Sequence, residues 1–171
     1  MKLTEKELNE VVTGYNNKSY TIRQLIENAK EFASKKEEAA AKHTSAERYN
    51  SKAEKLSGEV WKPIQQQGWS KYEASNKGRI RWNGQLIKQD DELKGESKHI
   101  GYLVLDRERR YSVNHYCYVY TMIAMAFLGK KPDDGLHVHH INNNGYDCRP
   151  ENLILLTRKQ HAKVHSRKID S

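Results

Sequence analysis

The sequence has few of the residues that build disulfide-rich, membrane-spanning or large globular proteins. Only two of its 171 residues are cysteine, three are proline, and apolar residues make up 36% of the chain. Cys117 and Cys148 are too few for a disulfide framework or a four-cysteine zinc site. No stretch approaches the roughly 18 apolar residues of a membrane span, and the N-terminus lacks the apolar core of a signal peptide. We therefore expect a cytoplasmic protein with a modest core and no membrane partner.

What the chain does have is an excess of positive charge. It contains 30 Lys and Arg residues against 22 Asp and Glu residues, which gives a net charge of +8 and a pI near 9.4. A basic protein attracts partners that carry negative charge, and nucleic acids are the commonest of these. The charge directs attention to a nucleic-acid partner without specifying an activity.

The composition changes near Gly58, because all Trp and Pro residues lie on its C-terminal side. Residues 1–58 are predicted to be a helical extension, in which Thr4 is a typical N-cap of a short helix ending near Gly14. Apolar residues at helical spacing predict a long helix over residues 21–56. Its thin apolar stripe needs a partner, which leaves three uses open: packing on its own domain, pairing in a homodimer, or lying along DNA.

From residue 59 onward the patterns favour short strands and one buried helix. Asn83-Gly84 predicts a type I′ hairpin turn. A second strand pair, at residues 100–105 and 110–113, precedes a buried helix over residues 114–128. The strands of the first sheet are predicted at residues 72–75, 79–82 and 85–88. Together these elements predict an α+β fold with a small antiparallel sheet and a packed helix.

Histidine is concentrated near the C-terminus, where five of the eight His residues lie within residues 137–165. A strand ending at His139, an apolar strand over residues 152–156 and a helix capped by Thr157 are predicted there. This order gives a hairpin followed by a helix. Histidine is the commonest metal ligand among side chains, so the clustering indicates a metal site.

The spacing of three histidines supports that interpretation. His161 and His165 are four residues apart on the predicted helix, so both imidazoles lie on one face and can bind one ion. His139 on the strand would complete a set of three. Such a set leaves coordination positions open, as a catalytic rather than a structural site requires.

Together with Asn152 in Pro150-Glu151-Asn152-Leu153, these residues resemble the HNH endonucleases, whose ββα-metal fold is a hairpin and a helix. The order His139-His140, Asn152, His161 and His165 is most similar to the His-rich branch that includes the bacterial DNase toxins. Homing members of the family commonly have Asp where this chain has His139. The C-terminal residues 136–171 are accordingly interpreted as an HNH ββα-metal motif.

An upstream stretch carries a second resemblance. Trp61-Lys62-Pro63-Ile64 and residues 72–80 resemble the DNA-binding module that precedes HNH domains in phage and intron-encoded homing endonucleases. We therefore interpret residues 59–135 as a sheet-based DNA-binding region. The two resemblances cover residues 59–168, and residues 1–58 remain an extension for docking, dimerisation or DNA contact.

The resemblance implies a metal-dependent endonuclease that hydrolyses phosphodiester bonds of double-stranded DNA. His140 would be the general base, and Asn152 would orient its imidazole through the side-chain amide. His139, His161 and His165 would hold one divalent ion. Three nitrogen ligands suit Zn, Ni or Mn better than Mg, and the choice among these four metals stays open.

Basic side chains in three places are predicted to contact DNA by neutralising phosphates. They are Lys77, Arg79 and Arg81 beside Trp82 on the hairpin, then Arg107, Arg109 and Arg110, and finally Lys159, Lys163 and Arg167 along the C-terminal helix. An ordinary solvated strand face is the alternative for the hairpin group.

Several biological roles remain open from the sequence. The upstream module favours a homing enzyme of a phage or mobile element, acting in the host cytoplasm. A restriction, packaging or toxin-like HNH nuclease is the alternative within the same class. Outside the enzymes, the alternatives are a zinc-stabilised DNA-binding protein without turnover and an adaptor that acts through residues 1–58.

Overall fold

The structure is a computed structural model that describes residues 3–34, 55–66, 68–87, 103–105 and 116–166. In these residues the fold is α+β, as predicted. The helices are α1 (Glu5–Leu8), α2 (Ile22–Ser34), α3 (Val119–Phe127) and α4 (Arg158–His165). The strands are β1 (Val11–Thr13), β2 (Ser19–Thr21), β3 (Trp61–Pro63), β4 (Tyr72–Ser75), β5 (Ile80–Trp82), β6 (Gln85–Leu86), β7 (Leu103–Leu105), β8 (Tyr116–Tyr118), β9 (His137–His140) and β10 (Leu153–Leu156). None of the described helices is long and apolar enough to cross a membrane.

All strand pairs are antiparallel. Strands β3, β4, β5 and β6 form a four-stranded sheet in chain order, while β1 pairs with β2, β7 with β8 and β9 with β10. The turn between β5 and β6 has φ of 47° at Asn83 and 77° at Gly84. Positive φ at both central residues is what a type I′ turn requires, which confirms the predicted hairpin.

The N-terminal extension differs from the expected pair of helices. Thr4 caps α1 through a capping box with Glu7, as its position predicted, but the helix ends at Leu8 rather than near Gly14. Val11, Val12 and Thr13 instead form β1 because β-branched side chains favour extended backbone. The long helix does begin at Ile22; residues 35–54 of its expected span lie outside the described part of the chain.

The second predicted strand pair also differs. Strand β7 lies within the expected residues 100–105, but its partner in the structure is β8. The buried helix therefore begins at Val119 and not at Asn114. Tyr116 and Tyr118 supply the reason, because aromatic residues favour strands. The expected strand at 110–113 lies outside the described residues.

Two apolar cores lie on either side of the β9–β10 hairpin. The sheet core joins β4, β5 and α3 to Cys148 and Leu153. The N-terminal core contains Leu8, Val12, Ile22, Leu25, Ile26, Ile141, Ile154, Leu156 and Val164. The first turns of the long helix therefore pack against the β9–β10 hairpin and the C-terminal helix.

A buried ion pair joins the segments that precede β3 and β5, and it corrects one prediction. Arg79 is only 1% exposed; its Nε donates to Glu59 Oε1 at 2.8 Å, and its Nη2 pairs with Glu59 Oε2. Arg79 was expected to contact DNA, and that prediction is wrong because the side chain is enclosed and paired. Burial opposes ionisation of Glu59, but hydrogen bonds from Arg79, Leu56 and Ser75 lower its pKa below 4.5.

The buried pair gives a first testable prediction. Glu59→Ala should lower the free energy of unfolding by about 3–5 kcal/mol, because it removes the carboxylate that neutralises a buried guanidinium. Since the pKa of Glu59 lies below 4.5 in the folded chain, the contribution is present above that pH and fades as acid protonates the carboxylate. Urea denaturation at pH 7 measures the loss.

Glu5→Ala is the matched control for this substitution. It removes an exposed ion pair, in which Arg23 Nη2 lies 2.8 Å from Glu5 Oε2, and should cost less than about 1 kcal/mol. Equal losses in the two variants would contradict the importance given to the buried pair.

Candidate metal centre and active site

The register of the β9–β10 hairpin places two adjacent histidines on opposite faces. His139 lies opposite Ile154, and His140 lies opposite Leu153. Ile154 belongs to the N-terminal core and Leu153 to the sheet core. Because cross-strand partners share a face and neighbours alternate, His139 points toward the side of α4 and His140 toward the side of α3.

Helix α4 presents the other two histidines to the hairpin. Its N-terminus is fixed by a capping box in which Thr157 Oγ1 accepts from Gln160 N at 3.3 Å and Gln160 Oε1 accepts from Thr157 N at 2.8 Å. Val164 is buried in the N-terminal core, which sets the rotation of the helix. His161 and His165, four residues apart, consequently share the face beside β9.

The structure brings the three predicted ligands together. One potential ligand atom from each of His139, His161 and His165 lies within 4.8 Å of the others. The ring centroids of His161 and His165 are 4.5 Å apart, and those of His139 and His165 are 5.1 Å apart. Side chains that come from a strand and a helix thus meet at one point, as the sequence predicted.

An unpartnered nitrogen shows that this cluster fits a metal ion. His139 is 3% exposed, and its Nε2 has no hydrogen-bond partner among the described residues. A buried polar atom without a partner costs free energy unless something binds it. Imidazole nitrogens are ligands that suit Zn²⁺ and other divalent first-row transition metals.

The protonation states are those that metal binding needs. Burial, followed by repulsion from His165, His161 and His140, lowers the pKa of His139 to about 3. Burial also lowers the pKa of His165 below 6.5. Both imidazoles are therefore neutral at pH 7, which leaves a lone pair available for coordination.

His140 is not part of the cluster of three. Its ring lies edge-on against Tyr120, with centroids 5.2 Å apart, and Tyr120 stacks on Tyr118 at 5.0 Å. The His140 Nε2 is buried and has no partner among the described residues. Burial lowers the pKa of His140 to about 4, with Asp147 acting in the opposite direction. The imidazole is thus neutral at pH 7, as a general base must be.

Asn152 differs from expectation in what its amide contacts. Its Nδ2 donates to Asn142 Oδ1 at 2.9 Å and to the Asp147 carbonyl at 2.8 Å, and its Oδ1 accepts from Asn142 N at 3.0 Å. The amide therefore holds the loop between β9 and β10, and the predicted bond to the His140 ring is not made. Asn152 contacts the backbone next to His140 instead, because its carbonyl accepts from the Ile141 N–H at 2.8 Å.

One residue near the site was missed in the sequence. Tyr120 meets His140 only because α3 packs on the hairpin, and no local pattern marks that contact. His137 stacks on His161 with centroids 5.1 Å apart. Its position two residues before His139 places it on the same face of β9.

The predicted DNA-contacting residues are dispersed, and several already have partners. Arg81 makes a bidentate pair with Glu73 at 2.6 and 2.7 Å, and Lys163 lies 3.0 Å from Glu10. Trp82 is half-buried against the sheet core. Lys77 is half-buried, Lys159 is exposed, and Arg107, Arg109, Arg110 and Arg167 lie outside the described residues.

Comparison with known families matches two parts of the chain. An HNH endonuclease profile matches residues 117–163, and a NUMOD4 motif, found in homing endonucleases, matches residues 59–106. The part that matches the HNH endonuclease family contains His139, His140, Asn152 and His161, and His165 follows two residues beyond the match. Both resemblances inferred from the sequence are confirmed.

Individual relatives are more distant. An uncharacterized HNH endonuclease of Acanthamoeba polyphaga mimivirus is 26% identical over 106 residues, covering 61% of this chain but only 25% of that protein. The chain thus spans about a quarter of this relative's length. A solved structure described as DNA binding and cleavage by the HNH homing endonuclease I-HmuI is 19% identical, with a TM-score of 0.44, over 61% of this chain and 56% of that one.

The metal cluster gives a second prediction. His161→Ala should weaken binding of Zn²⁺ by more than the roughly 10–100-fold that loss of an outer hydrogen-bonding group costs, because it removes a direct ligand. His137→Ala is the matched control, since His137 touches His161 but is not one of the converging three. Titration calorimetry measures both affinities. Equal affinities in the two variants would remove His161 from the ligand set.

The loop contacts give a third prediction. Asn152→Ala should lower the free energy of unfolding of the metal-free protein by about 1–3 kcal/mol. The substitution removes the hydrogen bonds of the Asn152 side chain to the Asp147 carbonyl and to the Asn142 backbone N–H. Chemical denaturation in the presence of chelator measures this cost. A variant as stable as the wild type would show that the loop does not depend on Asn152.

Proposed function

We propose that this chain is a divalent-metal-dependent endonuclease that hydrolyses phosphodiester bonds in double-stranded DNA. The observation that carries the proposal is the convergence of three imidazole nitrogens within 4.8 Å, inside an HNH endonuclease domain. The net charge of +8 and the NUMOD4 motif support DNA as the partner.

In this proposal His139, His161 and His165 hold one ion. When bound, the ion would stabilise negative charge on the scissile phosphate and on the leaving 3′ oxygen. The all-nitrogen set favours Zn²⁺, Ni²⁺ or Mn²⁺ over Mg²⁺, which prefers oxygen ligands. The burial of His139 and the lowered pKa values of His139 and His165 keep protons from competing for the site near pH 7.

His140 is proposed as the general base. Its neutral imidazole can accept a proton from the attacking water, and no described protein group occupies its Nε2. The edge contact with Tyr120 holds the ring from the side of the sheet core. Asn152 contributes indirectly, because its amide closes the loop that begins just after His140.

DNA contacts are proposed for the residues that remain available to solvent or to a partner. Lys159 is exposed on the first turn of α4, on the helix that carries two of the ligands. Lys77 and Trp82 lie on the NUMOD4 part of the chain. Arg81 and Lys163 would have to exchange a carboxylate for a phosphate, so we expect them to contribute less.

The biological role is proposed as homing by a phage or mobile element, with cleavage in the host cytoplasm. The NUMOD4 motif and the viral relative support this role over a restriction, packaging or toxin-like nuclease. The comparisons give no support to a homodimer through the N-terminal helix. The described part of the chain contains one such histidine cluster, which favours nicking of one strand.

A fourth prediction separates this enzyme from a zinc-stabilised DNA-binding protein without turnover. His140→Ala should lower the rate of plasmid cleavage by roughly 10²–10⁴-fold, because the base is lost. Binding of Zn²⁺ and of DNA should persist, since His140 is outside the cluster of three. Conversion of supercoiled plasmid to open circles or linear molecules, with each divalent metal and with chelator, measures the activity.

His43→Ala serves as the matched control, because His43 lies in neither family match. It should cleave at the wild-type rate. A wild-type chain that binds plasmid and metal but cleaves with none of the four metals would favour the binding protein. Equal activity of the His140→Ala variant and the wild type would remove the base from the mechanism.

A further inference from the structure

Residues 3–31, here called the N-terminal segment, lie outside both family matches, yet they pack on the helix that carries two of the predicted metal ligands. Val164 of α4, which lies between His161 and His165 in sequence, is buried in the N-terminal core. Ile22, Leu25 and Ile26 of α2 belong to the same core. The N-terminal segment therefore forms part of the hydrophobic support of the site.

Glu10 of the N-terminal segment also forms two hydrogen bonds to α4. Its Oε1 accepts a hydrogen bond from Gln160 Nε2 at 2.7 Å, and its Oε2 accepts from Lys163 Nζ at 3.0 Å. Gln160 and Lys163 flank His161 in sequence. Gln160 also forms the capping box of α4 with Thr157. Glu10 therefore binds a side chain that stabilises the N-terminus of this helix.

The same segment also reaches the strand half of the site. Asn28 of α2 donates from Nδ2 to the Ile141 carbonyl at 3.1 Å. Ile141 directly follows His140, and its own N–H donates to the Asn152 carbonyl at 2.8 Å. Residues from one N-terminal segment thus contact both the helix and the hairpin whose relative position determines whether the imidazoles meet.

This support matters because α4 is short. A helix of 8 residues is well below the length of about 12–15 residues at which isolated helices become even marginally stable. Its position relative to β9 is therefore set by what packs on it. Val164, Gln160 and Lys163 are the α4 residues through which the N-terminal segment does so.

We propose that residues 3–31 brace the metal centre and that Glu10 is a positioning residue, which holds α4 where His161 and His165 converge with His139. The inference rests on the proposed function in one respect, since it takes the three histidines as metal ligands. It assigns to the N-terminal segment a role in metal affinity rather than in targeting or dimerisation.

The test measures the affinity of the full chain for Zn²⁺ in the absence of DNA. Glu10→Ala should weaken Zn²⁺ binding by about tenfold, the lower end of the effect of removing groups that orient ligands. Glu10→Gln keeps oxygen and loses charge, so its affinity should lie between those of Glu10→Ala and the wild type. Glu5→Ala is the matched control, because Glu5 pairs with Arg23 of its own segment, and it should bind within about twofold of the wild type.

Affinities are compared at a temperature where circular dichroism shows each metal-free variant to be folded. A Glu10→Ala chain with a lower melting temperature but wild-type Zn²⁺ affinity would overturn the inference, because Glu10 would then be merely structural. A double-mutant cycle with Lys163→Met adds a second criterion: the losses in Zn²⁺ affinity should be non-additive, and additive losses would contradict coupling through this pair.

The outcome for the wild type separates this inference from the proposed function. If the wild-type chain binds none of Zn²⁺, Ni²⁺, Mn²⁺ and Mg²⁺, the metal-dependent nuclease is overturned, and the proposed role of Glu10 is overturned with it. If the wild type binds an ion and Glu10→Ala binds it equally well, only the brace fails. Weakened binding in Glu10→Ala with unchanged binding in Glu5→Ala supports the role of Glu10 and the metal centre, while cleavage of plasmid tests the nuclease separately.

Discussion

The proposed activity requires three imidazole nitrogens to lie within 4.8 Å of one another. His139 comes from a strand, while His161 and His165 come from the helix after the hairpin, so neither element alone sets the distance between them. Enclosing a neutral ring nitrogen without a hydrogen-bond partner is unfavourable in the metal-free chain. Metal binding would offset that cost, which couples the stability of the fold to the ion that we propose for the site.

The β9–β10 hairpin serves this constraint because it lies between two apolar cores. Strand alternation sends His139 to the side of the N-terminal core and His140 to the side of the sheet core. Adjacent residues in the sequence can therefore have different surroundings and different proposed roles. One is packed against two further histidines, and the other lies against Tyr120. The N-terminal segment and the NUMOD4 part of the chain support opposite faces of the same small motif.

The sequence predicted features that local geometry determines. The spacing of His161 and His165, the cap at Thr157 and the turn at Asn83-Gly84 each depend on a few neighbouring residues. It did not predict partners that only the tertiary fold brings together. Arg79 was predicted to be a DNA-contacting residue because its neighbours in the sequence do not reveal its partner. That partner, Glu59, lies 20 positions earlier in the chain. Glu10 and its hydrogen-bond partners in α4 are separated by at least 150 residues in the sequence. The side-chain amide of Asn152 bonds to the β9–β10 loop and not to the His140 imidazole.

X-ray absorption spectroscopy of the Zn²⁺-loaded chain can establish the three-histidine centre, because it reports the atoms bound to the ion. We expect imidazole nitrogens at about 2.0–2.1 Å, with the scattering pattern of three histidine rings and a light atom in the remaining position. A sulfur neighbour at about 2.3 Å would place a cysteine on the metal and contradict the three-histidine centre. The spectrum of a fully hydrated ion would contradict it as well.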